Sequence, residues 1–270
     1  MGDPDSPGEG CACWSPAPNK HCEHNRPPYR AQSKEKGKHN MAHNRISVAV
    51  FDMIETVFSL ETVREAIIGC GLAAGDLETW FAFGLRDAFA LDTTGQAEPF
   101  PDILRAALDQ LLALRYVQAE ASARDAVLAA FSELKPHPDA HEAFAMLQDA
   151  GVPIIALSNG PKERTQQMLQ CHGLSNQVQH VLSVQSVGRF KPHSAVYQHA
   201  VDTTGLPPDA HCMVACHPWD THGAKCAGMQ TAFVRRNQAY PSTMRAPDIV
   251  GRELVDVAQC IIDRSRGVPA

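Results

Sequence analysis

Apolar positions fall into two regimes along this chain. Between 48 and 58 they run almost unbroken, stopping at Asp52 after Val48-Ala49-Val50-Phe51 and resuming toward Val57-Phe58. A run of that length reads as a strand buried on both faces, as in a parallel sheet. From 60 to 135 apolar residues recur every three or four positions, the period of a helix packed on one face. Leu60, Val63, Ile67 and Ile68 mark one helix, stopped at Gly71. Asp76 is the expected cap of a second, whose face carries Leu77, Trp80, Phe81, Gly84, Leu85, Ala88 and Phe89. Pro101 opens a third helix through Leu112, and 119–134 supplies a fourth. Pro136-His137-Pro138 ends this block.

Beyond that break, expected helices at 139–150, 164–171, 194–203 and 223–227 alternate with short apolar strands at 152–157, 180–184, 212–216 and 231–234. Such alternation implies a parallel sheet covered on both faces. The expected fold is α/β: a Rossmann-like parallel sheet core from 45–59 and 136–266, with a helical cap inserted at 60–135. A cap so placed lies over the carboxyl ends of the strands, where open α/β sheets bind ligands, and keeps water from what lies beneath. Residues 1–44 are rich in Pro, Gly, Asn, Lys and His. They lack the apolar surface to offset the entropy of ordering, so a disordered tail is expected there.

Composition narrows the partners. With 24 basic and 30 acidic residues the net charge is −6, and the body of the chain has no long basic cluster, which argues against nucleic acid. No apolar run reaches the length of a membrane span, and the first residues lack a secretory signal pattern, so a cytoplasmic address is expected. Nine cysteines in such a protein read as free thiols rather than a disulfide frame. Cys11, Cys13, His21, Cys22 and His24 are ligand types for zinc, but their spacing fits no strong pattern and no metal is assigned.

Polar residues of distinct kinds stand at the expected strand ends. The first carries Asp52 and Thr56, and the second ends Leu157-Ser158-Asn159-Gly160. After the third comes Arg189-Phe190-Lys191-Pro192, and the fourth ends Ala215-Cys216-His217-Pro218-Trp219-Asp220. On one rim they supply a carboxylate nucleophile, hydroxyl and amide donors, an ammonium and a second carboxylate. A carboxylate buried at a strand end needs a partner, and a cation from later in the chain is the expected one.

In the order and spacing of Asp52, Ser158, Lys191 and Asp220 the chain resembles the haloacid dehalogenase superfamily. The segments Phe-Asp-x-x-x-Thr, Leu-Ser-Asn-Gly, Lys-Pro-x-x-x-Val-Tyr and Trp-Asp-x-x-Gly-Ala-Lys resemble its type II 2-haloacid dehalogenase branch. The resemblance runs from about 46 to 263. It implies a hydrolase that cleaves the carbon–halogen bond of small 2-haloalkanoic acids through an ester on Asp52, with no cofactor and no metal. Asp52 is then the nucleophile, Lys191 and Thr56 orient it, and Asp220 activates water. Ser158 and Asn159 receive the substrate carboxylate, Tyr197 stands near the site, and Arg86 accepts the departing halide. His217 is a candidate halide or carboxylate donor.

Two other readings stay open at this point. One is a magnesium-dependent phosphatase of the same superfamily; against it, Ile54 and Cys216 stand where phosphatases commonly carry aspartates. The other is a catalytically impaired binder of small carboxylates. Its basis is a set of departures from the branch: Glu55 for glycine, Ile54 for tyrosine, Ala215 for serine and His217 for asparagine. An apolar cap face around Trp80 and Phe83 is a candidate homodimer contact.

Overall fold

The computed structural model describes residues 45–96, 98–236 and 238–268; the tail expected at 1–44 lies outside them. Six parallel strands form the central sheet: β1 (Val48–Phe51), β4 (Ile154–Ser158), β5 (Val178–Ser183), β6 (His211–Ala215), β7 (Gln230–Val234) and β8 (Ile249–Gly251). They lie in the order β5-β4-β1-β6-β7-β8. All four residues of β1 are buried, because β1 is central, paired to β4 at Ala49–Ile154 and to β6 at Ala49–Cys212. The chain proceeds from β1 to one side through β4 and β5, then to the other through β6. The order therefore reverses at β1, and a crevice opens at its carboxyl end, directly at Asp52.

Between β1 and β4 the chain leaves and returns by a two-stranded antiparallel ribbon, β2 (Phe58–Ser59) with β3 (Lys135–Pro136). Four helices lie between these strands: α1 (Glu61–Gly69), α2 (Asp76–Thr93), α3 (Phe100–Leu114) and α4 (Ala121–Ala129). They and the sheet belong to one compact unit. The remaining helices flank the sheet: α5 (Ala140–Asp149), α6 (Lys162–Cys171), α7 (Ser194–Thr204), α8 (Pro218–Cys226) and α9 (Leu254–Ser265). Gly151, at φ +71°, turns the chain out of α5 as its position in the sequence suggests.

Several local expectations change. Asp76 does not cap α2 from outside but is its first residue; its carboxylate accepts from Ala73 N at 3.0 Å and pairs with Arg115. The fourth cap helix is shorter than expected and finishes in a 3₁₀ turn at Ala130–Ser132. Trp80 is fully buried and donates from Nε1 to Leu104 O at 2.9 Å, so it offers no surface for a second copy of the chain. The six cysteines of the described residues are free thiols. No helix among those residues is long and apolar enough to cross a membrane.

Candidate active site

β1 delivers Asp52 to the crevice, where its backbone N–H donates to Val214 O of β6 at 3.0 Å. The chain then turns back sharply. Val57 and Phe58 N–H both donate to Met53 O, and Glu55 takes the left-handed conformation at φ +63°. That conformation costs a residue with a Cβ about 1–2 kcal/mol and is where glycine fits without strain. The turn is held from outside by Arg236, whose Nη2 donates to Thr56 O at 3.0 Å while its guanidinium grips Asp139. A lone arginine after a strand carries no sequence pattern, so only the fold reveals this role of Arg236.

Two buried side chains, Thr56 and Lys191, fix the Asp52 carboxylate. Thr56 Oγ1 donates to Oδ2 at 2.8 Å, and is itself held by Cys216 N–H at 2.9 Å. Lys191 Nζ donates to Oδ1 at 2.9 Å and to Asp220 Oδ2 at the same distance. Asp220 receives a further bond from the Tyr197 hydroxyl at 2.7 Å. Lys191, Tyr197 and Asp220 are fully buried. Burial works against the Lys191 ammonium, yet Asp220 and Asp52 outweigh it and raise its pKa, so it stays charged. Burial raises the Asp220 pKa, against the pull of Lys191, and Asp52 adds to the rise. The Tyr197 phenol stays protonated, because burial and then Asp220 push its pKa well up.

Close packing of α7 and α8 makes this network. A methyl group on Gly223 would lie 2.5 Å from Pro192 Cβ and 2.7 Å from the Tyr197 hydroxyl oxygen, so only glycine lets Tyr197 reach Asp220. On the other side, Ser158 ends β4 and its Oγ accepts from Gly160 N–H at 3.0 Å, leaving the hydroxyl proton free to donate. Asn159 Oδ1 accepts from Lys191 N–H at 3.1 Å, which turns its NH₂ group away from that contact. Asp52, Ser158, Asn159 and His217 all border one cavity between the sheet and the cap helices.

His217 stacks on Trp219 with ring centres 5.1 Å apart and lies 6.2 Å from the Phe81 ring. Its Nε2 is 3.5 Å from Glu55 Oε2 and 3.8 Å from Asp52 Oδ2. Burial disfavours the imidazolium, but Cys216, Asp52 and Glu55 outweigh it and lift the pKa to about 10. Burial raises the Glu55 carboxyl while His217 pulls it back. The Glu55 carboxylate thus faces the His217 imidazole.

Arg86 does not join the site. Its side chain is 52% exposed, pairs with Asp87, bonds Gln110 and lies over the Phe83 ring at 4.6 Å. On α2 the positions facing the cavity are Phe81 and Leu85, four residues apart; Arg86, one step further, rotates about 100° away. The apolar cavity residues were visible in the sequence as helix faces, but periodicity alone does not tell a face packed on core from one that walls a cavity.

A family model described as a haloacid dehalogenase-like hydrolase matches residues 46–228. The chain belongs to this family. Haloacetate dehalogenase H-2 of Moraxella sp. (strain B) is 25% identical over 207 residues, which cover 76% of this chain and 92% of that protein. (S)-2-haloacid dehalogenase 1 of Pseudomonas sp. (strain CBS-3) is 28% identical over 195 residues, 71% of this chain and 85% of its own length. The structure of the L-2-haloacid dehalogenase from Xanthobacter autotrophicus with chloropropionic acid covalently bound superposes with a TM-score of 0.73 at 24% identity. That match covers 80% of this chain and 98% of the other, and it shows a shared fold. The matched range contains Asp52, Ser158, Lys191, His217 and Asp220.

Proposed function

We propose that this hydrolase cleaves the carbon–halogen bond of 2-haloalkanoic acids without a metal, through an ester on Asp52. The observation that carries the reading is the Lys191 ammonium standing between Asp52 and Asp220 at 2.9 Å from each. An ammonium there does the neutralising that a divalent cation does in phosphoryl transfer. Here the two carboxylates that could share a magnesium ion, Asp52 and Asp220, share the Lys191 ammonium. The magnesium-dependent phosphatase reading is the alternative that chelation tests.

In the first step an Asp52 oxygen attacks the carbon bearing the halogen, and the halide departs with the bonding electron pair. Ser158 Oγ and the Asn159 amide hold the substrate carboxylate so that attack is in line. The halide leaves toward His217, the imidazolium that borders the cavity. In the second step water attacks the Asp52 carbonyl carbon, giving its proton to Asp220 and releasing the hydroxy acid. The raised pKa of Asp220 makes it the stronger base for that transfer. The covalently bound chloropropionic acid of the Xanthobacter relative accords with an ester on the nucleophile.

Halide release from 2-bromo and 2-chloro acids, assayed with and without EDTA, tests the reading. Equal rates in both are expected; loss of release on chelation, or phosphate release from phosphomonoesters in its place, overturns it. The His217 role has its own pH signature. Its raised pKa means that the cation facing the departing halide is present below about pH 10 and is lost as pH rises through that value. We expect kcat to fall there, and His217→Asn to lower kcat about tenfold at pH 8 and to flatten that fall. A wild-type kcat unchanged beyond about pH 10.5 would remove the role.

A further inference from the structure

The cavity above Asp52 has a volume of about 340 Å³. Asp52, Ser158, Asn159 and His217 border it from the strand ends, and α6 adds Glu163, Arg164, Thr165 and Gln167. Its walls are Phe81 and Leu85 from α2, Phe100 and Leu104 from α3, Leu128 from α4 and Met168 from α6. This wall is built rather than a gap in loose packing. A methyl group on Gly84 would come within 2.5 Å of Leu104 Cδ2, so α2 and α3 approach as closely as they can at that point. The Trp80 indole bond to Leu104 O holds the same residue from the other side.

The cap contributes no cation, since Arg86 points away; the cations bordering the cavity are His217 beside Asp52 and Arg164 on α6. Arg164 is engaged with Ser132 Oγ and Gln167 Oε1. Ser158, Asn159 and His217 can receive a ligand's charged end at the strand ends, and whatever extends toward α2, α3 and α4 meets hydrocarbon. At roughly 30 Å³ per non-hydrogen atom, one liquid water's share, a two-carbon halo acid fills under half of this space. The remainder accommodates about six further atoms.

The geometry points to a carboxylic acid with an apolar tail as the substrate class, an aliphatic chain of about four to eight carbons or an aryl group. This rests on the proposed hydrolase reading only for the reaction at the acid's second carbon. Apolar walls reward each methylene that leaves water, by about fourfold in affinity. Two- and three-carbon acids use only the strand-end groups.

Calorimetric titration of the full-length protein with acetate, butanoate, hexanoate, octanoate and phenylacetate tests the cavity without requiring turnover. Kd is expected to fall about fourfold per methylene until the cavity fills, with phenylacetate far tighter than acetate. Leu128→Trp, with its thermal melt recorded beside the wild type, is expected to flatten that slope by occupying the space. A Kd constant from acetate to octanoate, or an unchanged slope in a stably folded Leu128→Trp, overturns the assignment. Bromide release from the matching 2-bromo acids separates the two ideas. Rising affinity with no bromide from any acid keeps the apolar-tail assignment and removes the hydrolase reading. Bromide from 2-bromoacetate with flat affinity does the reverse.

Discussion

Asp52→Asn is expected to abolish halide release, with a fall in kcat of at least about 10⁴-fold, the scale on which enzymes lose rate when a covalent nucleophile is removed. The change is close to isosteric, so the loss is chemical rather than structural. Thr56 Oγ1 can still donate to the amide oxygen, and Lys191 keeps Asp220 as its partner, so the melting temperature should move little by comparison. What disappears is the charge that attacks carbon. A companion measurement identifies the atom: in a single turnover with enzyme in excess in heavy-oxygen water, the label should enter Asp52 and not the product. The reason is that water attacks the ester at the Asp52 carbonyl. Label in the product during that first turnover would mean direct attack by water on the substrate. Asp52→Asn activity within tenfold of wild type would remove the ester mechanism altogether. A protein that binds carboxylates without turnover would show neither halide nor label.

The sequence carried the sheet and the strand-end residues because both are written in short-range patterns. Unbroken apolar runs such as Val48–Phe51 are what a strand covered on both faces requires, and Asp52, Ser158, Lys191 and Asp220 sit at or shortly after strand ends. β8 is hidden because Ile249–Gly251 is too short for a periodicity to register, whereas α9 carries a helical period at Leu254, Val257, Ala258, Ile261 and Ile262. The misplacement of Arg86 has a geometric origin. Its residue type suited an anion, but helix phase decides which side chains reach the cavity, and a one-residue step on α2 separates Leu85 from Arg86. The pairing of Glu55 with His217 was beyond the sequence for another reason. It joins residues 162 positions apart through a left-handed turn, and only the fold tells whether the extra carboxylate faces a cation. Set 3.5 Å apart, the Glu55 carboxylate and the His217 imidazole face each other.

Lys191→Met should be the most damaging single change for stability, because it leaves two buried carboxylates facing each other without their cation. Methionine has similar length and no charge, so the void is small and the effect is electrostatic. Removing one partner from a buried ionic group costs about 3–5 kcal/mol, which for a domain of this size lowers the melting temperature by on the order of 10 °C. The sign of the pH dependence follows from proton counting. Two adjacent buried carboxylates cannot both stay ionised, so the native variant retains a proton that the unfolded chain gives up above about pH 4. With more protons bound in the folded state, stability falls as pH rises from there toward neutrality. The deficit against wild type should therefore be largest at pH 7 and shrink as the pH is lowered toward 4. Adding Asp220→Asn removes one of the opposed charges, and the double variant should melt higher at pH 7 than Lys191→Met alone. The coupling expected between neighbours of this kind is about 0.5–3 kcal/mol. Halide release stays lost in both variants, since neither restores the ammonium that orients Asp52. Melting curves of the wild type, the two single variants and the double variant across this range decide the matter. A Lys191→Met protein that melts within a degree or two of wild type at neutral pH would mean that the ammonium is not what keeps these carboxylates together.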